Sequence, residues 1–199
     1  MQTAISHLCL RRISLRLKRS ALRFGWRIGC AAVFLFSSVA CGPPSDERQV
    51  KNAVGAFYDV YMTVHPSGVP TQEEQAEFKK VISAGLADLL NVAAGVEEDS
   101  FQATTLEGDV FTSLDEGAAS YKILECEIQA PAACVVELSS AGNRKRPKLA
   151  WKDRVFVARE GERWIVDDIE FLGDGPFMHK GRLKDVLKQV IEEGKIPAV

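Results

Sequence analysis

The apolar residues of this chain change their period at Gly117, and that change restricts the fold more than any other feature. Upstream, Val50, Val54, Phe57, Tyr58 and Tyr61 recur at helical spacing and stop before His65-Pro66. Ser45 is the expected N-cap, with Asp46 and Glu47 in the first turn, where carboxylates oppose the helix dipole favourably. Thr71 and Glu74 form a capping box directly after Pro70. This opens a second expected helix, with Phe78, Val81, Ile82, Leu86, Leu89 and Leu90 on its apolar face, running out near Gly95. Residues 96–118 are polar and glycine-containing and read as a loop with short elements, pinned by Phe101, Leu106, Val110, Phe111 and Leu114.

Downstream the period is two. Leu124, Cys126 and Ile128 share one face of a strand, Ala130-Pro131 turns the chain, and Cys134, Val136 and Leu138 share one face of the next. Two further strands, Trp151 to Arg159 and Trp164 to Phe171, are joined at Glu160-Gly161. A final amphipathic helix carries Leu183, Val186, Leu187, Val190 and Ile191 and stops at Gly194. Two helices, about four strands and one helix predict an α+β domain: helices packed on a curved antiparallel sheet, with a C-terminal helix added.

The N-terminus sets the compartment. Residues 1–27 hold Arg11, Arg12, Arg16, Lys18, Arg19, Arg23 and Arg27 and no acid, and the apolar run Ile28 to Val39 follows. That order is a signal peptide's, and a run of about a dozen residues is short of the roughly 20 that span a bilayer. Ser38-Val39-Ala40-Cys41-Gly42 resembles a bacterial lipobox, which implies a cleaved leader over 1–40, a lipid on Cys41, and a membrane partner through that lipid. By resemblance to enterobacterial sorting, Gly42 after the cysteine favours the outer membrane over the inner one. The same small residues also satisfy an ordinary cleavage site after Ala40. Residues 41–46 then form a short Gly-Pro-Pro-Ser tether, and 47–196 a single domain, a length that suits one real core.

Of the 25 basic residues, seven leave with the leader, so 18 face 27 acidic ones and the mature net charge is −9. An acidic chain of this kind has no basic field to hold nucleic acid. Residues 141–148 form a lone basic loop, read as solvated. Cys9 and Cys30 also leave with the leader. If the first hairpin turns near Ala130, Cys126 faces Cys134 and Leu124 faces Val136, so a disulfide is expected in an oxidising compartment.

Phe57-Tyr58-Asp59-Val60-Tyr61, with Trp151-Lys152-Asp153-Arg154-Val155 and Gly161-Glu162-Arg163-Trp164-Ile165-Val166-Asp167-Asp168-Ile169, resembles the DUF3828 family of small bacterial exported proteins and lipoproteins. The similarity covers most of residues 50–190 and implies an NTF2-like cone, in which helices close against a bent sheet to leave a pocket. It implies no reaction.

Chemistry is sparse. A two-residue turn at Glu160-Gly161 predicts Val157 opposite Trp164, Val155 opposite Val166, Arg154 paired with Asp167, and Asp153 facing Asp168, with Glu170 on the face of Asp168. Two close carboxylates would split their pKa values and suit acid-base work or a hard cation. Ile82-Ser83-Ala84-Gly85 falls within the expected second helix, so it is not a nucleophile elbow. After cleavage His65 and His179 are the only histidines, which excludes a multi-histidine zinc site. The loop Gly173 to Gly181 carries Asp174 and His179 ahead of a helix, without a phosphate loop's lysine and hydroxyl spacing. Trp151 and Trp164 are candidates for a core or a pocket wall, and Glu170 and His179 for a ligand pocket.

Three functions follow as expectations. The first is a non-catalytic envelope lipoprotein that binds a small ligand or an envelope protein, with no cofactor and no metal. The second is an immunity or inhibitor lipoprotein facing a cationic toxin. The third is a cone-fold hydrolase or lyase using Asp153 and Asp168.

Overall fold

A computed structural model describes residues 45–99, 108–142, 147–175 and 178–194. The leader, Cys41, most of the tether, Phe101, Leu106, the middle of the basic loop and the last five residues lie outside them. Helix α1 spans Asp46–Val64, with the Ser45 hydroxyl accepting from the Arg48 N–H and the cap His65 in the left-handed region at φ 49°. Its stripe Val50, Val54, Phe57, Tyr58 and Tyr61 is buried, as the spacing predicts. Phe57 meets Phe78 and Phe111 at ring-centroid distances of 5.9 and 5.5 Å, which joins the helices to the loop that follows them.

The expected second helix is two helices, α2 at Gln72–Phe78 and α3 at Ala84–Asp99. The Thr71–Glu74 capping box forms in full. The break between them occurs because Val81 and Ser83 leave the helical ladder for a later strand, β4 (Arg163–Phe171): the Val166 N–H donates to the Val81 carbonyl, and the Ser83 N–H to the Val166 carbonyl, at 3.2 and 2.7 Å. The Ser83 hydroxyl then accepts from the Leu86 N–H and restarts the helix, so the Ile82-Ser83-Ala84-Gly85 stretch is a helix start and not a helix interior.

The sheet has five strands in the order β1 (Ser120–Glu127), β2 (Ala132–Ser139), β3 (Ala150–Glu160), β4 (Arg163–Phe171) and β5 (Gly181–Arg182), every pair antiparallel. Helix α4, Leu183–Gly194, is the last of the described elements. The fold is therefore α+β, with one strand and one helix more among the described residues than expected. One sheet face carries Val136, Leu138, Trp151, Val155 and Ile169, all buried in the common core with α1. The opposite face is a charge ladder, Lys122–Glu137–Lys152 and Arg154–Glu170–Arg182, with signs alternating across the strands. Such opposed pairs contribute a few tenths of a kcal/mol each and keep that face wet.

Cys126 and Cys134 are opposed and joined as a disulfide, with Cα atoms 4.0 Å apart. A bulge between Ile123 and Cys126 places Ile123, and not Leu124, opposite Val136. The β3–β4 register also differs from expectation. The turn sits one residue later, so Glu160 pairs with Arg163, Arg159 with Trp164 and Val157 with Val166. A bulge then takes up Asp167, after which Phe156 pairs with Asp168, Val155 with Ile169, Arg154 with Glu170 and Asp153 with Phe171. Moving the turn shifts pairs by two and keeps faces; the extra residue in the bulge shifts them by one more and exchanges faces.

Candidate functional site

That exchange separates the two carboxylates expected to face each other. Asp153 points with Val155 into the core, and Asp168 stands opposite Phe156 on the other face. The Arg154–Asp167 pair is likewise replaced by Arg154–Glu170, at 2.9 Å and exposed.

Asp153 is fully buried and holds together a polar cluster built from residues far apart in sequence. It accepts from the Ser113 N–H at 2.9 Å, from the Ser113 hydroxyl, from the Trp151 indole at 3.1 Å and from the Leu172 N–H at 3.1 Å. Ser113 also accepts from the Gly173 N–H at 3.0 Å. Burial raises the Asp153 pKa above the usual carboxylate value, against the pull of these donors.

The second buried carboxylate is Asp109, a residue with no periodicity or motif to single it out. It accepts from the Tyr61 hydroxyl and from the Phe111 N–H, and Tyr61 in turn accepts from the Ala118 N–H at 2.8 Å. Burial pushes its pKa up to about 7, with Tyr61 and backbone donors opposing. Burial, reinforced by Asp109, also raises Tyr61. Gly117, at φ +75°, leaves room for this contact: a Cβ there would lie 2.6 Å from Asp109 Oδ2 and 2.7 Å from the Tyr61 hydroxyl. His179 closes the cluster, its Nε2 donating to the Asp109 carbonyl at 2.9 Å and lying 3.1 Å from Asp115. Thus the polar segment expected as a loop with short elements is buried at Asp109, Thr112 and Ser113, and its hydrogen bonds reach Tyr61 of α1 and Asp153 of β3.

On the far side of the sheet lies a groove of about 640 Å³. Its walls come from the β1–β2 turn (Ile128, Pro131), the end of β3 (Phe156 to Arg159), Trp164, and the start of α4. The bulge brings both Asp167 and Asp168 to it. Asp168 accepts from the Ile169 and Lys184 N–H groups at 2.9 and 3.1 Å and lies 3.1 Å from Arg182 Nε, which anchors the first turn of α4. Burial raises Asp168, against these donors. At Asp167, burial also acts upward, but Lys184 at 2.6 Å and the Ser83 hydroxyl outweigh it and hold the group below its usual value. The Arg182 guanidinium lies 4.0 Å from the Phe156 ring centroid and Arg159 5.9 Å from that of Trp164. The Trp164 indole N–H is shielded from water and meets no acceptor among the described residues, a cost of about 1–3 kcal/mol.

Of the sequence candidates, the structure brings Asp153 and Trp151 together in the core, with His179 at the other end of the same polar cluster. Trp164 and Asp168 line the groove, and Glu170 lies on the charge ladder beside it. Asp109, Tyr61, Ser113, Arg159 and Arg182 are the additions. Among the described residues no three His, Cys, Asp or Glu side chains gather as a metal site, and no helix is long and apolar enough to cross a membrane. Comparison with protein-family models finds no match, and comparison with curated proteins finds none.

Proposed function

We propose that this chain is an exported, non-catalytic binding module of the bacterial cell envelope, held at the membrane, the outer one in preference, by a lipid on Cys41. The observation that carries the non-catalytic part is the saturation of Asp153, whose two oxygens accept from four donors of the protein itself. A general acid or base must offer a lone pair or a proton to a substrate, and this carboxylate is committed to holding Ser113, Trp151 and Leu172 in place. Asp168 is committed in the same way to α4. The groove beyond the sheet offers the binding surface, and kinship with the DUF3828 family belongs to this reading. The Cys126–Cys134 disulfide is compatible with export.

The test is to express Cys41→Ser beside the wild type, label with palmitate and fractionate. The wild type is expected to carry label and sediment with membranes, and the variant to be unlabelled, soluble and equally folded by circular dichroism. A variant still in the membrane fraction would refute the lipid anchor. Capture from envelope extract by the immobilised chain, lost on substitution in the groove and kept on Arg154→Ala, checks the binding role.

A further inference from the structure

We infer that the groove between the β1–β2 turn, the end of β3 and the start of α4 binds a small amphiphilic carboxylate: an apolar chain or ring with one anionic head. This deepens the binding-module reading and rests on it. A space of about 640 Å³ falls within the roughly 300–1,000 Å³ of small-ligand clefts. Ile128, Pro131, Val157 and Trp164 supply apolar walls for the body of such a ligand.

Charge decides which head fits. The groove holds four cations, Arg159, Arg182, Lys184 and Lys188, and three acids, Asp167, Asp168 and Asp185. Each acid is taken: Asp167 by Lys184 at 2.6 Å, Asp168 by Arg182 Nε at 3.1 Å, and Asp185 by Lys188 at 3.2 Å. A cationic ligand finds no open carboxylate. Arg159 has no acidic partner among the described residues and rests over Trp164, so one positive charge is left over at an aromatic wall. Arg182, another cation of the lining, has its Nε 3.1 Å from Asp168 and its guanidinium 4.0 Å from the Phe156 ring centroid. Trp164 itself, over which Arg159 rests, is the aromatic part of that wall. This excess of one positive charge stands in a mature chain of net charge −9, so the groove is a local exception to its own surface.

The experiment uses the Cys41→Ser chain isolated after export, free of its own acyl groups. Dodecanoate, dodecan-1-ol and dodecyltrimethylammonium are titrated below their micellar concentrations. The readouts are calorimetry and tryptophan fluorescence, with Trp164→Phe assigning the optical change. Dodecanoate is expected to bind one-to-one and at least tenfold tighter than the alcohol or the cation. Arg159→Gln, which removes no carboxylate's partner, is expected to weaken dodecanoate about tenfold and leave the alcohol unchanged. Equal affinity for all three, no saturable binding of dodecanoate, or an unaltered affinity in Arg159→Gln would overturn the assignment. A chain that captures an envelope protein but ignores dodecanoate overturns the ligand class and leaves the module reading standing. Dodecanoate binding in a chain whose wild type carries no lipid supports the groove and overturns the anchor.

Discussion

Replacing Asp109 with Asn should change how stability depends on pH more than it changes stability itself. In the folded chain Asp109 is held near pKa 7 by burial, against a usual value of 3.8. Between those values the folded protein binds one proton that the unfolded chain has released. Stability then falls as pH rises, by 1.36 kcal/mol per pH unit, or about 4 kcal/mol in all. The contribution is present in full below about pH 4 and lost as pH rises through about 7. Asparagine occupies the same space, accepts from the Phe111 N–H and has no charge to desolvate. It donates to Tyr61 where Asp109 accepted, which strands the tyrosine hydroxyl's proton at a cost of about 1–3 kcal/mol at any pH. The variant should therefore be less stable than the wild type at pH 4 and close to it or more stable at pH 8. Urea unfolding of both chains at half-unit steps from pH 4 to 8 measures this. The difference between the two curves isolates Asp109, since Asp153 and the exposed carboxylates titrate in both. Parallel curves would refute the argument, and so would a wild-type advantage that grows with pH.

Gly117→Ala is expected to cost about 2–4 kcal/mol, from a left-handed φ and a Cβ forced against Asp109 and Tyr61; an unchanged urea midpoint would show that the contact relaxes freely. Ser113→Ala removes the hydroxyl that donates to Asp153 and accepts from Gly173, and about 1–3 kcal/mol should be lost in thermal unfolding. Cys126→Ala with Cys134→Ala opens a crosslink of sequence separation 8 and should lower stability by about 2.5 kcal/mol, read against the oxidised wild type in urea. Arg154→Ala breaks only an exposed cross-strand pair, and the change in urea midpoint should correspond to less than 1 kcal/mol.

The elements that were legible in the sequence are those set by near neighbours. The stripe of α1, the Ser45 cap, the Thr71–Glu74 box and the stripe of α4 depend on residues three or four apart, and all form. The disulfide was legible too, because a period of two around one short turn brings Cys126 opposite Cys134 whichever way the rest of the sheet lies. What only tertiary structure decided depends on distant partners. Residues 79–83 leave a continuous helical pattern because the Val166 backbone group, on another element, competes for their hydrogen bonds. The polar segment around Asp109 and Ser113 is buried because Tyr61, Trp151 and Leu172 supply or receive its hydrogen bonds from three other parts of the chain. Asp167 and Asp168 both line the groove because β4 bulges there, and a bulge has no signature in composition or period. One extra residue in one strand turned an expected carboxylate pair into a core anchor on one face and a helix anchor on the other, since a strand's faces alternate with every residue it gains.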